Sequence, residues 1–338
     1  MSKILTTAVM LALTSFTVSE ALAREPIPEE SGFSGHINLG LGGFKVKNNM
    51  AAGNSFSDIS KERITSLTSS PDSEEFAVPM INGEIIYTFA ESRTQIFIGN
   101  RVEDLLRYDF NAGAGVRQEI GKFGNIALSY IFTPITGEVW ADPYVVNQNR
   151  VETDIDANGV RFEWEKVLSS ELYLQYTYRE LDVDDEQSGS FLGLSLADRE
   201  SLRRDSDYHN FQVGYTIKLN ENHFLIPSGR YVKNDAEGSA MEFDRYIARL
   251  THQYRGERFN FITDIEFGVQ DYDGTNPIYG KTQDDDILGA FFTAIYKNPW
   301  GLTNWRLLGR VGYFESDSNI NFYDSEITVI SLSALYRF

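Results

Sequence analysis

The sequence predicts an all-β chain: a transmembrane antiparallel up-and-down β-barrel of about 14 strands, with 12 or 16 left open, short periplasmic turns and long acidic extracellular loops. Three observations predict it. Strand-like alternation recurs from Phe33 onward, the connections alternate between long and short, and the closing stretch "ISLSALYRF" sets Ile330, Leu332, Ala334, Tyr336 and Phe338 on one face.

The opening "MSKILTTAVMLALTSFTVSEALAREP" places Lys3 before an apolar run from Ile4 to Val18, and Ala21-Leu22-Ala23 offers a small-x-small cleavage site. Residues 1–23 read as a secretory signal peptide, 24–32 as a short periplasmic segment and 33–338 as the barrel. Export with no cysteine in the chain argues against a disulfide scaffold and against a lipid-modified terminus. The apolar run is too short and too interrupted by Thr and Ser for a membrane anchor, and no later run reaches the ~18 residues of a spanning helix. An exported chain of this kind enters a membrane only as a closed barrel, which satisfies every backbone hydrogen bond within the wall.

Charge narrows the partners. With 49 acidic against 30 basic residues the net charge is -19, which repels nucleic acid. A hydrophobic share of 42% suffices for a lipid belt, and the 18 Tyr and 23 Phe suit a surface that is apolar yet close to water.

Strands are read at 33–47, 76–90, 94–102, 107–120, 124–135, 152–167, 170–183, 206–219, 222–233, 241–255, 258–272, 285–297, 303–315 and 322–338. The clearest is "ELYLQYTYRE", where Leu172, Leu174, Tyr176 and Tyr178 oppose Gln175, Thr177 and Arg179. Next come "NFQVGYTIKL", with Phe211, Val213, Tyr215, Ile217 and Leu219 on one face, and "GVRFEWEK", with Val160, Phe162 and Trp164. "NWRLLGRVGYF" sets Trp305, Leu307, Val311 and Tyr313 against Arg306 and Arg310. The stretches 94–120 and 222–233 alternate poorly, and Pro227 weakens the second.

A soluble sandwich also alternates, so alternation alone does not orient the faces. Strand lengths near the ~9–11 residues that cross a bilayer favour the barrel. So do aromatics near strand ends (Tyr87, Phe89, Tyr130, Phe132, Phe259, Phe261, Trp305), which match interfacial girdles. Connections 48–75, 136–151, 184–205 and 273–284 are long, whereas 91–93, 121–124, 168–170, 220–222, 256–257 and 298–302 are tight. The segment before the first strand is too short for a plug, so the loop 48–75 or 184–205 is expected to fold inward.

With its terminal Phe338, Tyr336 two before it and the alternating strand behind them, the chain resembles the porin-like β-barrel superfamily of the Gram-negative outer membrane. The resemblance implies that Phe338 and Tyr336 form the signal recognised by the barrel-assembly machinery, and that the protein resides in the bacterial outer membrane against lipid and lipopolysaccharide. The stretch "EESGFSGHINLGLGGFKVKNN" is similar to a family of exported barrels of unknown function found in marine gammaproteobacteria.

The four histidines, His36, His209, His223 and His252, are the candidate acid–base groups. Asp207 and His209 share a strand face and, with Asp154 and Asp156, look like the constellation of an omptin-like barrel hydrolase. Against that, His209 continues the face of Phe211, Val213 and Tyr215, which is assigned to lipid, so the expectation is a polar strand rim and no enzyme. The acidic stretches 151–156, 180–187, 271–274, 284–286 and 315–319 all fall on the extracellular side. They read first as a solvated surface and second as a divalent-cation or partner site bridging lipopolysaccharide phosphates; "DYDGTN" lacks the closing Glu of a calcium loop. No cofactor and no resident metal are implied.

Inward candidates are Arg117, Arg161, Glu163, Glu165, Arg179, Arg245, Arg249, Asp264, Glu266, Arg306, Arg310 and Arg337, with Glu84 and Glu119 between them. Charge rings of this kind select solutes in an open pore; equally, they pair across neighbouring strands and fill a narrow lumen. The expectation is a channel for passive diffusion of small hydrophilic solutes, anionic ones if the arginines dominate. A non-conducting barrel with ligand-binding loops is the alternative.

Overall fold

The computed structural model describes residues 26–54, 57–100, 112–133 and 137–338. Fourteen wall strands form a closed antiparallel barrel. They are β1 (Gly32–Lys47), β2 (Ser73–Phe89), β3 (Thr94–Gly99), β4 (Ala112–Glu119), β5 (Asn125–Phe132), β6 (Glu152–Glu165) and β7 (Leu172–Val183), then β8 (Ser206–Tyr215), β9 (His223–Ala236), β10 (Phe243–Arg255), β11 (Phe259–Asn276), β12 (Lys281–Lys297), β13 (Trp305–Ser318) and β14 (Ser325–Arg337). No helix among the described residues is long and apolar enough to cross a membrane. The predicted signal peptide 1–23, and parts of the strands predicted at 94–102, 107–120 and 124–135, lie outside the described residues.

Each strand pairs with its sequence neighbours, and β14 returns to β1 with Ile37 opposite Tyr336 and Leu41 opposite Leu332. Closure runs to the last residue: the Gly35 amide donates to the Phe338 carbonyl at 3.0 Å, and the Phe338 amide donates back at 3.1 Å. Glycine at 35 is a packing requirement, because a Cβ there would collide with the Glu84 backbone carbonyl oxygen and sit 2.8 Å from the Phe338 ring.

The faces are oriented as a membrane barrel requires. Outward positions on adjoining strands expose Leu39, Leu41, Ile330 and Leu332, whereas inward neighbours such as Asn38 and Ser333 are buried. The outward aromatics stack in ladders that run from strand to strand, as in Phe211–Tyr231 and Tyr231–Tyr246. Leu335, the one apolar residue that breaks the terminal alternation, points inward and is buried.

Two boundaries differ from the sequence reading. The stretch 273–284 is not a long loop: β11 continues to Asn276, β12 begins at Lys281, and the pair is joined by a tight turn with a register shift between Asp271 and Thr275. The apolar alternation stops where the membrane stops, but the hydrogen-bonded ladder rises on into water, so polarity alone misplaces the strand end. Most of the acidic stretches therefore sit on protruding strand ends. Pro227, which weakened the strand reading at 222–233, lies within β9. Lacking an N–H, it sits where the ladder to the preceding strand is interrupted, between the pairs Gly214↔Ser228 and Ile217↔Leu225.

Additional short strands build the outer rim. Gly137–Trp140 pairs along β6, with Glu138 opposite Asp154, and its other edge takes Ala51–Asn54 from the loop after β1. Ala51–Asn54 of the first loop is thereby folded back and buried.

Candidate functional site in the barrel interior

The lumen holds a charge belt, buried apolar clusters and a cap across the extracellular mouth.

The belt is built from inward positions of the alternating strands. Arg249 on β10 forms a two-pronged ion pair with Glu266 on β11, its Nε donating at 2.9 Å; Glu266 is 0% exposed. Beside it Thr251 donates to Asp264 at 2.5 Å. On the opposite wall Arg117 of β4 reaches Glu165 of β6 at 2.6 Å and the Gln95 side chain at 3.3 Å. Arg161 bonds Thr177 at 3.4 Å, and Glu163 is buried next to it on the same face. Arg310 stacks over Phe291 at 5.2 Å, and Arg245 donates to Gln270 at 2.5 Å.

The structure thus brings Arg117 and Glu165, and Arg249, Asp264 and Glu266, into direct contact or adjacency. Arg179, Arg306 and Arg337 are half-buried, and Glu119 pairs with Arg93 at 2.6 Å. Glu84 is buried on the inward face of β2.

The inward face is not uniformly polar, as the sequence reading had it. Phe44, Val46, Met80, Phe291, Phe314 and Val329 belong to one buried apolar cluster spanning β10, β12–β14, β1 and β2. Ile226, Ile262, Ile295, Leu308 and Leu335 form a second. Arg230, also missed, lies inward on β9 and is buried within reach of Glu266 and Arg249. Alternation carried the signal for it, but Pro227 obscured the strand.

The cap comes from loops that leave the wall all round its circumference. Ile64, Tyr144, Leu202, Met241, Ile320 and Phe322 form one buried cluster, drawn from the connections after β1, β5, β7, β9 and β13. Side chains rooted so far apart pack together only by crossing the mouth. Both loops expected to fold inward take part: Leu67 comes from 48–75 and Leu202 from 184–205.

Polar groups lock the cap. The Tyr144 and Tyr323 hydroxyls are 2.7 Å apart, and Asn276 donates to Tyr323 at 2.7 Å. Burial, reinforced by the neighbouring Tyr323, pushes the Tyr144 hydroxyl well above the ordinary tyrosine range, which keeps it neutral and hydrogen-bonding. Arg150 lies over Trp140 at 4.2 Å and donates to the Asn49 carbonyl at 2.7 Å; burial lowers its pKa to about 9. Asp142 accepts from the Gly189 and Phe191 amides at 3.1 and 2.8 Å, tying the third outer loop to the fourth. Trp140 and Tyr144, aromatics in a connecting segment, were the available sequence signal.

Between cap and belt lies a cavity of about 210 Å³. Its walls include Met50, Met241 and Tyr323 from the cap and Arg245, Ile287 and Phe314 from the barrel.

Asp207, His209, Asp154 and Asp156 all occupy outward positions near the extracellular rim. The two pairs are separated by β7, since Asp156 lies opposite Asp182, and Asp207 lies opposite Glu180. Tyr178 donates to Asp207 at 2.7 Å, and the Tyr176 hydroxyl contacts His209 Nδ1 at 2.9 Å. Among the described residues no group of three acidic or histidine side chains is arranged to hold a metal ion.

Solved structures similar to this chain are outer-membrane barrels. The CymD monoaromatic hydrocarbon channel is 9% identical with a TM-score of 0.46, the match covering 96% of this chain and 94% of CymD. The outer membrane channel DcaP of Acinetobacter baumannii is 12% identical at a TM-score of 0.43, covering 91% and 97%. OmpT, an outer membrane protein of Vibrio cholerae, is 10% identical at 0.44, covering 93% and 100%. No curated protein matches the chain. The profile of the protein family of unknown function DUF2860 matches residues 32–337, the whole barrel wall, and the chain belongs to that family.

Proposed function

We propose that the protein is an outer-membrane channel that is shut at rest and selective in what it admits. The observation that carries this reading is the burial of the mid-barrel residues. Asn38, Thr251, Gln253 and Glu266 are each 0% exposed, packed against their neighbours inside the barrel. An open diffusion pore leaves such inward side chains wet. The belt and the cap are therefore two closures in series, and passage requires their rearrangement.

Selectivity for anions, expected from the arginine positions alone, loses support because Arg117 and Arg249 are paired with Glu165 and Glu266. The outward placement of Asp207 and His209 favours a non-enzymatic barrel. On this reading lipid and lipopolysaccharide lie against the outward face, β14 with Tyr336 and Phe338 meets the barrel-assembly machinery, and solutes move through the interior.

Planar-bilayer recording of the purified chain tests it. The wild type is expected to be closed for most of the record, and Phe322→Ala, which removes the centre of the cap, to raise the open fraction several-fold. A steady, large ohmic conductance in the wild type would discard the shut-channel reading.

A further inference from the structure

We propose that the cavity between cap and belt is a binding site for an uncharged solute of single-ring size that carries a hydroxyl group. The inference rests on the channel reading above and names the solute class that the channel handles.

Size sets the first limit. The cavity is about 210 Å³, and an apolar cavity of about 150 Å³ holds one benzene molecule. One ring with a small substituent fits; a disaccharide or a fatty acyl chain does not.

The lining sets the second. Ile155 and Val183 on β6 and β7, and Ile287 and Phe314 on β12 and β13, line the cavity with two apolar patches, against which a ring is desolvated at no polar cost. A monosaccharide, with hydroxyls around its whole edge, leaves several of them unpaired against those patches.

Charge sets the third. Arg204 is held by Glu186 at 2.6 Å, and Asp285 accepts from the side-chain amides of Gln283 at 2.9 Å and Gln270 at 3.0 Å. The Arg245 guanidinium donates to Gln270. The two guanidinium groups are offset by Glu186 beside Arg204 and by Asp285 near Arg245, so the lining is neutral in sum and gives an incoming carboxylate no net positive charge to offset its desolvation.

The polar anchor is Gln283, which is 2% exposed. Its Nε2 is committed to Asp285, which fixes the amide orientation, and its Oε1 accepts no hydrogen bond. A buried acceptor in that state gains a bond worth about a tenfold change in affinity when a ligand hydroxyl donates to it.

Phenol is the probe, titrated into the full-length barrel in detergent micelles by calorimetry and corrected for partition into empty micelles. Phenol is expected to bind saturably at one site, and toluene about tenfold more weakly. Benzoate and glucose are expected not to saturate. Gln283→Met should bring phenol down to the level of toluene and leave toluene unchanged, and Ser316→Phe, which fills the cavity, should abolish both. Folding of each variant is checked by heat-dependent gel migration, with Val183→Phe replacing Ser316→Phe if the latter does not fold. Benzoate or glucose binding as tightly as phenol would overturn the proposal, as would unaltered phenol binding in the variants. Conductance separates the two readings. A barrel that binds phenol in this pattern but never conducts keeps the site and loses the channel; one that conducts on cap loosening without saturable phenol binding loses the site alone.

Discussion

Tyr144 and Tyr323, 179 positions apart, share a hydrogen bond of 2.7 Å between their hydroxyls above the lumen. Tyr323 also receives Asn276 at the end of β11, so two connections and a strand end meet at one buried oxygen pair. The contact turns a set of loops into a lid, since each segment is held by a partner rooted on a different part of the wall.

Removing it should loosen the lid without unfolding the barrel. Tyr144→Phe deletes one hydroxyl and is expected to cost the cap about 1 kcal/mol, and Tyr144→Ala, which also leaves a hole in the apolar cluster, about 3 kcal/mol or more. Limited proteolysis of intact cells reads this directly: cleavage within 137–151 should accelerate in both variants, more in the second. Equal cleavage rates in wild type and Tyr144→Ala would show that the cap does not depend on this contact.

The Arg249–Glu266 pair makes a sharper test of the belt. Glu266→Gln leaves a buried guanidinium without its counter-charge, a change that costs about 3–5 kcal/mol, whereas the double change Arg249→Met, Glu266→Leu removes both charges and recovers most of that loss. The midpoint of heat-induced gel migration should fall in the single variant and return in the double one. A double variant no more stable than the single one would mean that the pair is not an isolated unit.

Leu332 faces lipid, 66% exposed and opposite Leu41. Leu332→Arg should destabilise the barrel by about 2–4 kcal/mol if that position lies near the bilayer midplane. Its inward neighbour Ser333→Ala should change stability far less. Urea titration of the protein folded in lipid vesicles measures both, and a tolerated Leu332→Arg would contradict the assigned orientation of β14.

Closure at the chain end predicts an assembly defect. Deleting Phe338 removes the two backbone bonds to Gly35, and Gly35→Val forces a side chain against the Glu84 backbone carbonyl and the Phe338 ring. Both should lower the folded fraction in outer membranes several-fold, read as loss of the fast-migrating band in unheated gels. Wild-type amounts of folded Gly35→Val would show that close packing at position 35 is not needed for closure.

What could be read along the chain was whatever repeats locally. Alternation of side chains is a property of two residues, so the strand series and its count of 14, the lipid-facing sides of β7, β8 and β14, and the terminal aromatic were all legible. The long extent of β11 and β12 was not, because beyond the membrane a protruding ladder and a loop have the same polar composition. The belt residues were legible as inward charges, yet not as pairs: whether Arg249 confers selectivity or neutralises Glu266 depends on register between strands. The apolar interior left only faint traces, in Leu335 out of phase on β14 and in "NFITDIEF", where Ile262 alternates with Asp264 and Glu266 on the inward side. The cap was legible only as an expected inward loop, 48–75 or 184–205, and as the aromatics Trp140 and Tyr144 in a connecting segment; its packing was not, for it is made by side chains from the connections after β1, β5, β7, β9 and β13. Sequence by itself determined a closed barrel with its oily side outward, since backbone hydrogen bonding in lipid permits little else. Only the tertiary structure decided that the barrel is filled and lidded, because which residues meet across a lumen is set by closure of the whole ring and by no neighbourhood along the chain.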